Sequence, residues 1–354
     1  MDMKVIQKDE KYYLKDMYEA ECLIVKRFRL LAHKEEEEFP NLEEHFSEME
    51  DIFGISYNEV QKQAILESVK KNFLVITGGP GTGKTTIMKG IIELYKDVHK
   101  LSYEKLADQV ALLAPTGRAA KRMSDATLMP ASTIHSFLKW QKDSNKFQVN
   151  EYHKSKVNLV IIDEASMIDT MLMASLLRGI LANCKIIMVG DSYQLPSVGA
   201  GQLLHDVISS GKLPVIELTE LYRQGKDSNI LTLAYDIRNG CVEDDVFNQD
   251  EDLTFIECQD DQVISSLMDV SSTFKDLSYK EFQILAPMYK GRYGIDIINN
   301  QLQTIFNPKD ASKKEVVVGD VIFREGDKVI ELTNMPEENI FNGDIGIISQ
   351  IITS

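Results

Sequence analysis

The chain has 354 residues, 44% of them hydrophobic and 27% charged, with a formal net charge of −16 at pH 7. That length exceeds one ordinary hydrophobic core, so two or three domains are expected, and the balance is that of a globular protein rather than a disordered or fibrous one. No apolar run approaches the ~20 residues that cross a bilayer, and residues 1–10 are polar, without the apolar centre of a secretion signal. The four cysteines (Cys22, Cys184, Cys241 and Cys258) are far apart in sequence, which suits reduced thiols better than a disulfide framework or a cysteine metal site. A cytoplasmic chain without a membrane partner is therefore expected. The acidic balance argues against steering toward DNA by bulk charge. The acids are bunched, however, at residues 35–51 and 243–252, and screening confines each patch to about 10 Å. A local basic groove remains compatible with that charge.

Residues 12–33 carry Leu14, Met17, Ala20, Ile24, Val25, Phe28 and Leu31 at helical spacing, which predicts an amphipathic helix. The acidic stretch 34–51, interrupted by Pro40, reads as a solvated helix pair or linker. A helix opens at Tyr57-Asn58, and the Gln61 amide on it has the donor and acceptor to read an adenine edge, although an exposed helical glutamine is the commoner case. Residues 73–77 form a short apolar, β-branched run, a buried strand. It leads into Gly78-Gly79-Pro80-Gly81-Thr82-Gly83-Lys84-Thr85-Thr86, the spacing of a phosphate loop. Its glycines let backbone N–H groups close round a phosphate, with the N-terminus of a helix over 87–95 aimed at the same anion. Lys84 would reach the β- and γ-phosphates of a nucleoside triphosphate, and the Thr85 hydroxyl would sit on Mg²⁺.

Residues 110–114 read as a second buried strand ending in Pro115-Thr116-Gly117-Arg118-Ala119-Ala120, either a phosphate-backbone contact or an ordinary strand-to-helix loop. The His135 imidazole receives no catalytic role, since a lone histidine is more often structural. A strand over 157–162 runs into Asp163-Glu164-Ala165-Ser166. Carboxylates at a buried strand's end are costly without a cation or water. Asp163 would hold Mg²⁺ and Glu164 would orient or deprotonate the attacking water. A helix over 167–181 follows, then a strand over 185–189 ending in Gly190-Asp191-Ser192-Tyr193-Gln194, where Gln194 can sense a γ-phosphate. After a strand over 215–218, Arg223 is suited to neutralise developing phosphoryl charge. Strands alternating with helices predict a doubly wound parallel α/β sheet with its ligand groups at the strands' carboxyl ends.

Further on, a helix is predicted over 230–239 and strands over 253–257 and 282–286. The loop Pro287-Met288-Tyr289-Lys290-Gly291-Arg292 suits backbone phosphates and stacked bases, with a plain surface loop as the alternative. An amphipathic helix over 295–306 precedes short β segments at 316–318, 328–332 and 345–351, with Asn342-Gly343 as a turn. These look like the start of a small β-barrel.

Together these motifs resemble the superfamily 1 helicases, in particular the RecD-like branch that tracks single-stranded DNA 5′ to 3′. Asn58-x-x-Gln61 resembles its Q motif, 78–86 motif I, 115–120 motif Ia, 163–166 motif II, 190–201 motif III and 218–224 motif IV. Motif I is widely shared; Asp-Glu-Ala-Ser combined with Gly-Asp-x-x-Gln-Leu-Pro-x-Val-Gly is far more specific. The resemblance implies an ATP- and Mg²⁺-dependent helicase acting on single-stranded DNA and single-strand/duplex junctions. It implies DNA contacts at Pro115, Thr116, Gly117, Arg118, Thr133, His135, Met288, Tyr289, Lys290 and Gly291. It also implies an N-terminal helical region (1–54), a RecA-like P-loop domain (55–240), the beginning of a second RecA-like domain (241–314) and an incomplete SH3-like insertion (315–354). The family's motifs V and VI lie beyond that insertion, and the sequence ends before them. The expectation is an N-terminal portion of a motor, binding nucleotide with weak or absent turnover by itself. A non-hydrolysing DNA- or partner-binding module and a different P-loop enzyme, such as a small-molecule kinase, are the competing readings.

Overall fold

The structure is a computed structural model that describes residues 4–141, 143–219, 228–242, 252–277, 281–333, 335, 338, 340 and 342–352. It divides into two units, Met1–Lys226 and Asp227–Ser354. The first begins with an antiparallel hairpin, β1 (Val5–Lys8) and β2 (Lys11–Leu14), followed by helix α1 (Lys15–Ala32). The helix expected from residue 12 therefore starts later, because Tyr12, Tyr13 and Leu14 pair back across a turn in which Asp9 has φ +53°. Ala20, Ile24, Phe28 and Leu31 are the buried stripe of α1, at the spacing of a helix with one apolar face. Phe28 packs on Phe73 with ring centroids 4.4 Å apart. Arg27 donates to the carbonyls of Leu181 (2.8 Å) and Leu177 (3.0 Å), satisfying groups at a helix end that would otherwise lack partners. Replacing Phe28 with alanine is expected to cost about 3–5 kcal/mol of stability, measured by urea unfolding. A loss below about 0.5 kcal/mol, within the spread of ordinary surface substitutions, would show that α1 is not part of the core.

The acidic stretch is not merely solvated. Helix α2 (Leu42–Phe53) buries Leu42, Phe46 and Met49, three to four residues apart, and turns its acids outward. Upstream of it, Glu37 lies 3.3 Å from the ammonium of buried Lys185, which also donates to the Val69 carbonyl. A cation that deep is costly unless paired and hydrogen-bonded, so part of the acidic run has a structural task.

Helix α3 (Glu59–Lys70) precedes β3 (Phe73–Gly78) and α4 (Lys84–Val98), and α5 (Tyr103–Gln109) leads into β4 (Val110–Ala114) and α6 (Gly117–Thr127). Next come β5 (Ala131–Thr133), α7 (Ile134–Phe137) and a hairpin of β6 (Trp140–Gln141) with β7 (Lys146–Phe147). The unit continues with β8 (Leu159–Ile162), α8 (Thr170–Gly179), β9 (Lys185–Gly190), α9 (Leu203–Ser209) and β10 (Val215–Leu218). The six-stranded sheet has the order β10-β3-β9-β8-β4-β5, and each neighbouring pair is parallel. Alternate strand residues face opposite layers: Phe73, Val75, Val160, Ile162, Ile186 and Met188 pack with α1, α8 and α9. Leu74, Ile76, Leu159, Ile161, Ile187 and Val189 pack with α2, α3 and α4. Covering on both faces explains why these strands read as continuous apolar runs.

The second unit contains α10 (Asn229–Asn239), α11 (Val263–Thr273), α12 (Ile295–Phe306) and two hairpins. The hairpins pair β11 (Glu315–Val318) with β12 (Val321–Arg324) and β13 (Lys328–Ile330) with β14 (Ile345–Ile347). The strands expected over 253–257 and 282–286 do not form, and Leu285 is 88% exposed. An extended run becomes a strand only against a ladder partner, and none pairs with either run among the described residues. Strand β12 was not anticipated; it returns through a turn in which Gly319 has φ +61°. At the Asn342-Gly343 turn, Gly343 has φ +95° and donates its N–H to Glu331 O at 2.8 Å. Buried Asp327 ties α12 to the hairpins, accepting from Gln303 Nε2 (2.7 Å), Asn307 Nδ2 (2.6 Å) and the Arg324 amide (2.7 Å).

Candidate functional site

The parallel register brings the strand ends to one edge of the sheet. Gly78 pairs with Leu218, Thr77 with Gly190, Ile162 with Met188, Leu113 with Ile162 and Ala114 with Thr133. The segments singled out at 78–86, 115–120, 163–166 and 190–201, and the residues Thr133 and His135, therefore all leave the sheet along its carboxyl edge, where open α/β sheets bind ligands.

The loop after β3 is shaped by glycine. Gly81 and Gly83 have φ of +82° and +84°, where a side chain is strained. A Cβ on Gly78 would lie 2.7 Å from Thr82 Oγ1 and 2.9 Å from Leu218 Cβ. Inside the loop, the Thr82 hydroxyl donates to Gly79 O (2.9 Å), and Lys84 Nζ donates to Gly78 O (2.7 Å) and Gly79 O (2.9 Å). Burial lowers the Lys84 pKa, while Asp191, Glu164 and Asp163 act against that shift by favouring the charged ammonium. Thr85 and Thr86 are exposed on the first turn of α4.

Asp163 follows β8, its amide bonded to Leu113 O (2.9 Å) and its Oδ1 accepting from the Glu164 N–H (2.9 Å). Burial pushes its carboxyl up to about 6. Glu164 has φ +51°, a conformation that non-glycine residues hold only when their surroundings impose it. The chain then turns through a short 3₁₀ segment, Ala165–Met167, beneath Gly190, where a Cβ would meet the Ala165 nitrogen at 3.1 Å. Asp191, buried at the end of β9, accepts from the Tyr193 N–H at 3.0 Å. It is a third carboxylate bearing on Lys84, and it was not singled out as a site residue. Its signal was the one used for Asp163, an acid directly after a buried strand. The oxygen donors Asp163, Asp191 and Thr85 are of the kind that hard divalent cations take.

Gln194 is exposed on the turn after β9, its backbone N–H donating to Asp191 O at 3.2 Å. Arg223 lies outside the described residues. Gln61 is buried: its Oε1 accepts from the Asn58 N–H (3.2 Å) and its Nε2 donates to Thr82 O (3.1 Å). Both ends of the amide expected to read adenine are thus engaged with the protein.

Among the residues marked for DNA, Thr116 and Thr133 use their hydroxyls to cap helices, accepting from Ala119 N (3.2 Å) and Ser136 N (3.1 Å). Pro115 is half-buried, Gly117 buried and Arg118 exposed. His135 is exposed, its ring centroid 5.7 Å from Phe147 and 6.2 Å from Trp140, and desolvation lowers its pKa against the influence of Asp169. In the second unit Met288, Tyr289 and Lys290 are exposed, and Gly291 has φ +102°. The carbonyls of Met288 and Tyr289 accept from Ile295 N (2.9 Å) and Asp296 N (3.2 Å), so this loop folds over the start of α12.

A parallel, doubly wound sheet with a lysine-bearing phosphate loop and strand-end carboxylates defines a RecA-like P-loop nucleoside triphosphatase, a class that binds ATP. Residues 61–200 match the AAA domain family, and residues 298–354 match the ATP-dependent RecD-like DNA helicase SH3 domain. The chain belongs to the RecD-like branch of superfamily 1 DNA helicases. It is 33% identical over 292 residues to the ATP-dependent RecD2 DNA helicase of Deinococcus radiodurans, covering 82% of this chain and 38% of that one. It is 26% identical to the RecBCD enzyme subunit RecD of Buchnera aphidicola from Acyrthosiphon pisum, covering 96% of this chain and 66% of that one. The chain thus spans less than two thirds of these relatives' length. A solved Pif1 helicase from Bacteroides, in complex with ADP-AlF3 and ssDNA, superposes with a TM-score of 0.48 at 19% identity, covering 84% of this chain and 71% of that one. No described helix is long and apolar enough to cross a membrane.

Proposed function

We propose that this chain supplies the ATP-binding part of a DNA helicase motor that tracks single-stranded DNA 5′ to 3′ and opens duplex at junctions. The observation that carries it is the convergence of Lys84, Asp163, Glu164 and Asp191 at the sheet edge, in a chain with a RecD-type SH3 match. Lys84 neutralises the β- and γ-phosphates. The Gly78 to Thr86 segment cradles them, and Glu164 orients the attacking water and takes its proton. Asp163 and the Thr85 hydroxyl would hold Mg²⁺, which supplies charge neutralisation on the phosphates when bound. Gln194 and Arg223 report the γ-phosphate to the rest of the motor. Residues 115–118, 133–135 and 288–291 meet the DNA strand, the last from a second domain that begins near residue 241.

The test is steady-state ATP hydrolysis by the chain with and without a single-stranded oligonucleotide. Stimulation by DNA is expected if the chain is a motor portion. Turnover indifferent to DNA would favour another P-loop enzyme. Binding of both ligands without turnover would favour the non-hydrolysing module.

A further inference from the structure

We infer that Ser166 is a positioning residue for the loop after β9, its hydroxyl being the seat on which Gln194 closes when a γ-phosphate is bound. The inference rests on the nucleotide-binding reading above and adds a contact between the loops that follow β8 and β9. Among the described residues, only Ser166 Oγ and His99 Nε2 are buried side-chain polar atoms with no hydrogen-bond partner. Ser166 is 8% exposed, and leaving a hydroxyl so deep without a partner is costly. Such a group in a folded protein calls for a partner that arrives in another state or with a ligand. Ser166 stands two residues after Glu164, whose φ of +51° already marks this turn as held by its surroundings.

The segment 165–170 is the bed of the loop 190–201 at both of the loop's ends. At the near end, a Cβ on Gly190 would lie 3.1 Å from Ala165 N and 3.3 Å from Ser166 N. At the far end, the Thr170 N–H donates to Ala200 O at 3.1 Å, and a Cβ on Gly199 or Gly201 would collide with the Asp169 or Thr170 side chain. The Ser197 hydroxyl donates to Gly199 O (2.9 Å) and Gly201 O (2.8 Å), which braces that end. Between the two anchors, Gln194, Leu195 and Val198 are exposed. The loop is thus pinned at its ends over Ser166 while its middle stands in solvent. A primary amide offers both donor and acceptor. Gln194 Nε2 donates to a γ-phosphate oxygen, and its Oε1 then accepts from the Ser166 hydroxyl, which ties the sensing loop to the turn that carries Glu164.

The experiment measures affinities for fluorescently labelled ADP and a non-hydrolysable β,γ-imido ATP analogue, with ligand-free melting temperatures. The proteins are wild type, Ser166→Ala, Ser166→Cys (similar volume, weak donor), Gln194→Ala and the Ser166→Ala/Gln194→Ala double variant. Ser166→Ala is expected to weaken the ATP analogue about tenfold, the loss of one buried hydrogen bond, and to leave ADP unchanged. Its melting temperature should not fall, because the ligand-free chain loses no bond. Ser166→Cys should lie between it and wild type, and Ser166→Ala should add no further loss in the Gln194→Ala background. Equal weakening of both nucleotides, or unchanged affinity for both, would overturn the inference. So would additive losses in the double variant, or a lower melting temperature for ligand-free Ser166→Ala. Should wild type bind neither nucleotide, the nucleotide-binding reading itself falls and takes this one with it, a result distinct from any of these.

Discussion

Replacing Lys84 with alanine is expected to reduce ATP turnover by at least about 10²–10³-fold, the loss that follows removal of one preorganised donor to a developing charge. Lys84 Nζ lies 2.7 and 2.9 Å from the carbonyls of Gly78 and Gly79, so it is held at the loop where phosphates would sit. Three carboxylates, Asp191, Glu164 and Asp163, favour its charged form against the cost of burial. Alanine removes that cation and leaves their repulsion toward a polyanionic ligand uncompensated. The check is a paired measurement of ATP affinity and turnover, with a melting curve to show that the variant is folded. Unchanged affinity and turnover in a folded variant would refute the assignment of the loop.

The second large effect concerns the pH response of Asp163. Burial raises its folded-state pKa from 3.8 to about 6. Between those values the folded protein binds more protons than the unfolded chain, so this group's contribution to stability falls as pH rises through that window. The cost is complete above pH 6 and amounts to roughly 3 kcal/mol. Asp163→Asn removes the ionisation. Without divalent ions the variant is expected to be more stable than wild type at pH 7–8, with the difference vanishing near pH 4. Urea unfolding of both proteins across that range tests it, and parallel stability profiles would rule it out. In the same variant Mg²⁺-dependent turnover should be lost.

Much of this architecture was legible along the chain. The runs at 73–77, 110–114 and 185–189 became β3, β4 and β9, because strands buried on both faces read as near-continuous apolar runs, while the run at 215–218 became the edge strand β10, whose Glu217 is exposed. The phosphate loop was equally plain, since glycines and a lysine at fixed spacing carry their geometry locally. Periodicity alone was less secure. It located the buried stripe of α1 but overran its start, where Leu14 pairs with Val5. It also did not decide whether the acidic helix α2 would bury Phe46.

Local sequence, then, determined the buried strands β3, β4, β8 and β9, the glycine and lysine spacing of the loop after β3, and the carboxylates that follow β8 and β9. Only the tertiary structure decided the order β10-β3-β9-β8-β4-β5 that aligns those ends, since strand order depends on pairing between distant segments. It also decided that Asp191 joins Asp163 and Glu164 around Lys84, and that Gln61 spends its amide on Thr82 O across 21 residues. The runs at 253–257 and 282–286 mark the same limit from the other side. Their composition favours extended chain, but a ladder needs a neighbour to exchange hydrogen bonds with, and composition cannot supply that neighbour.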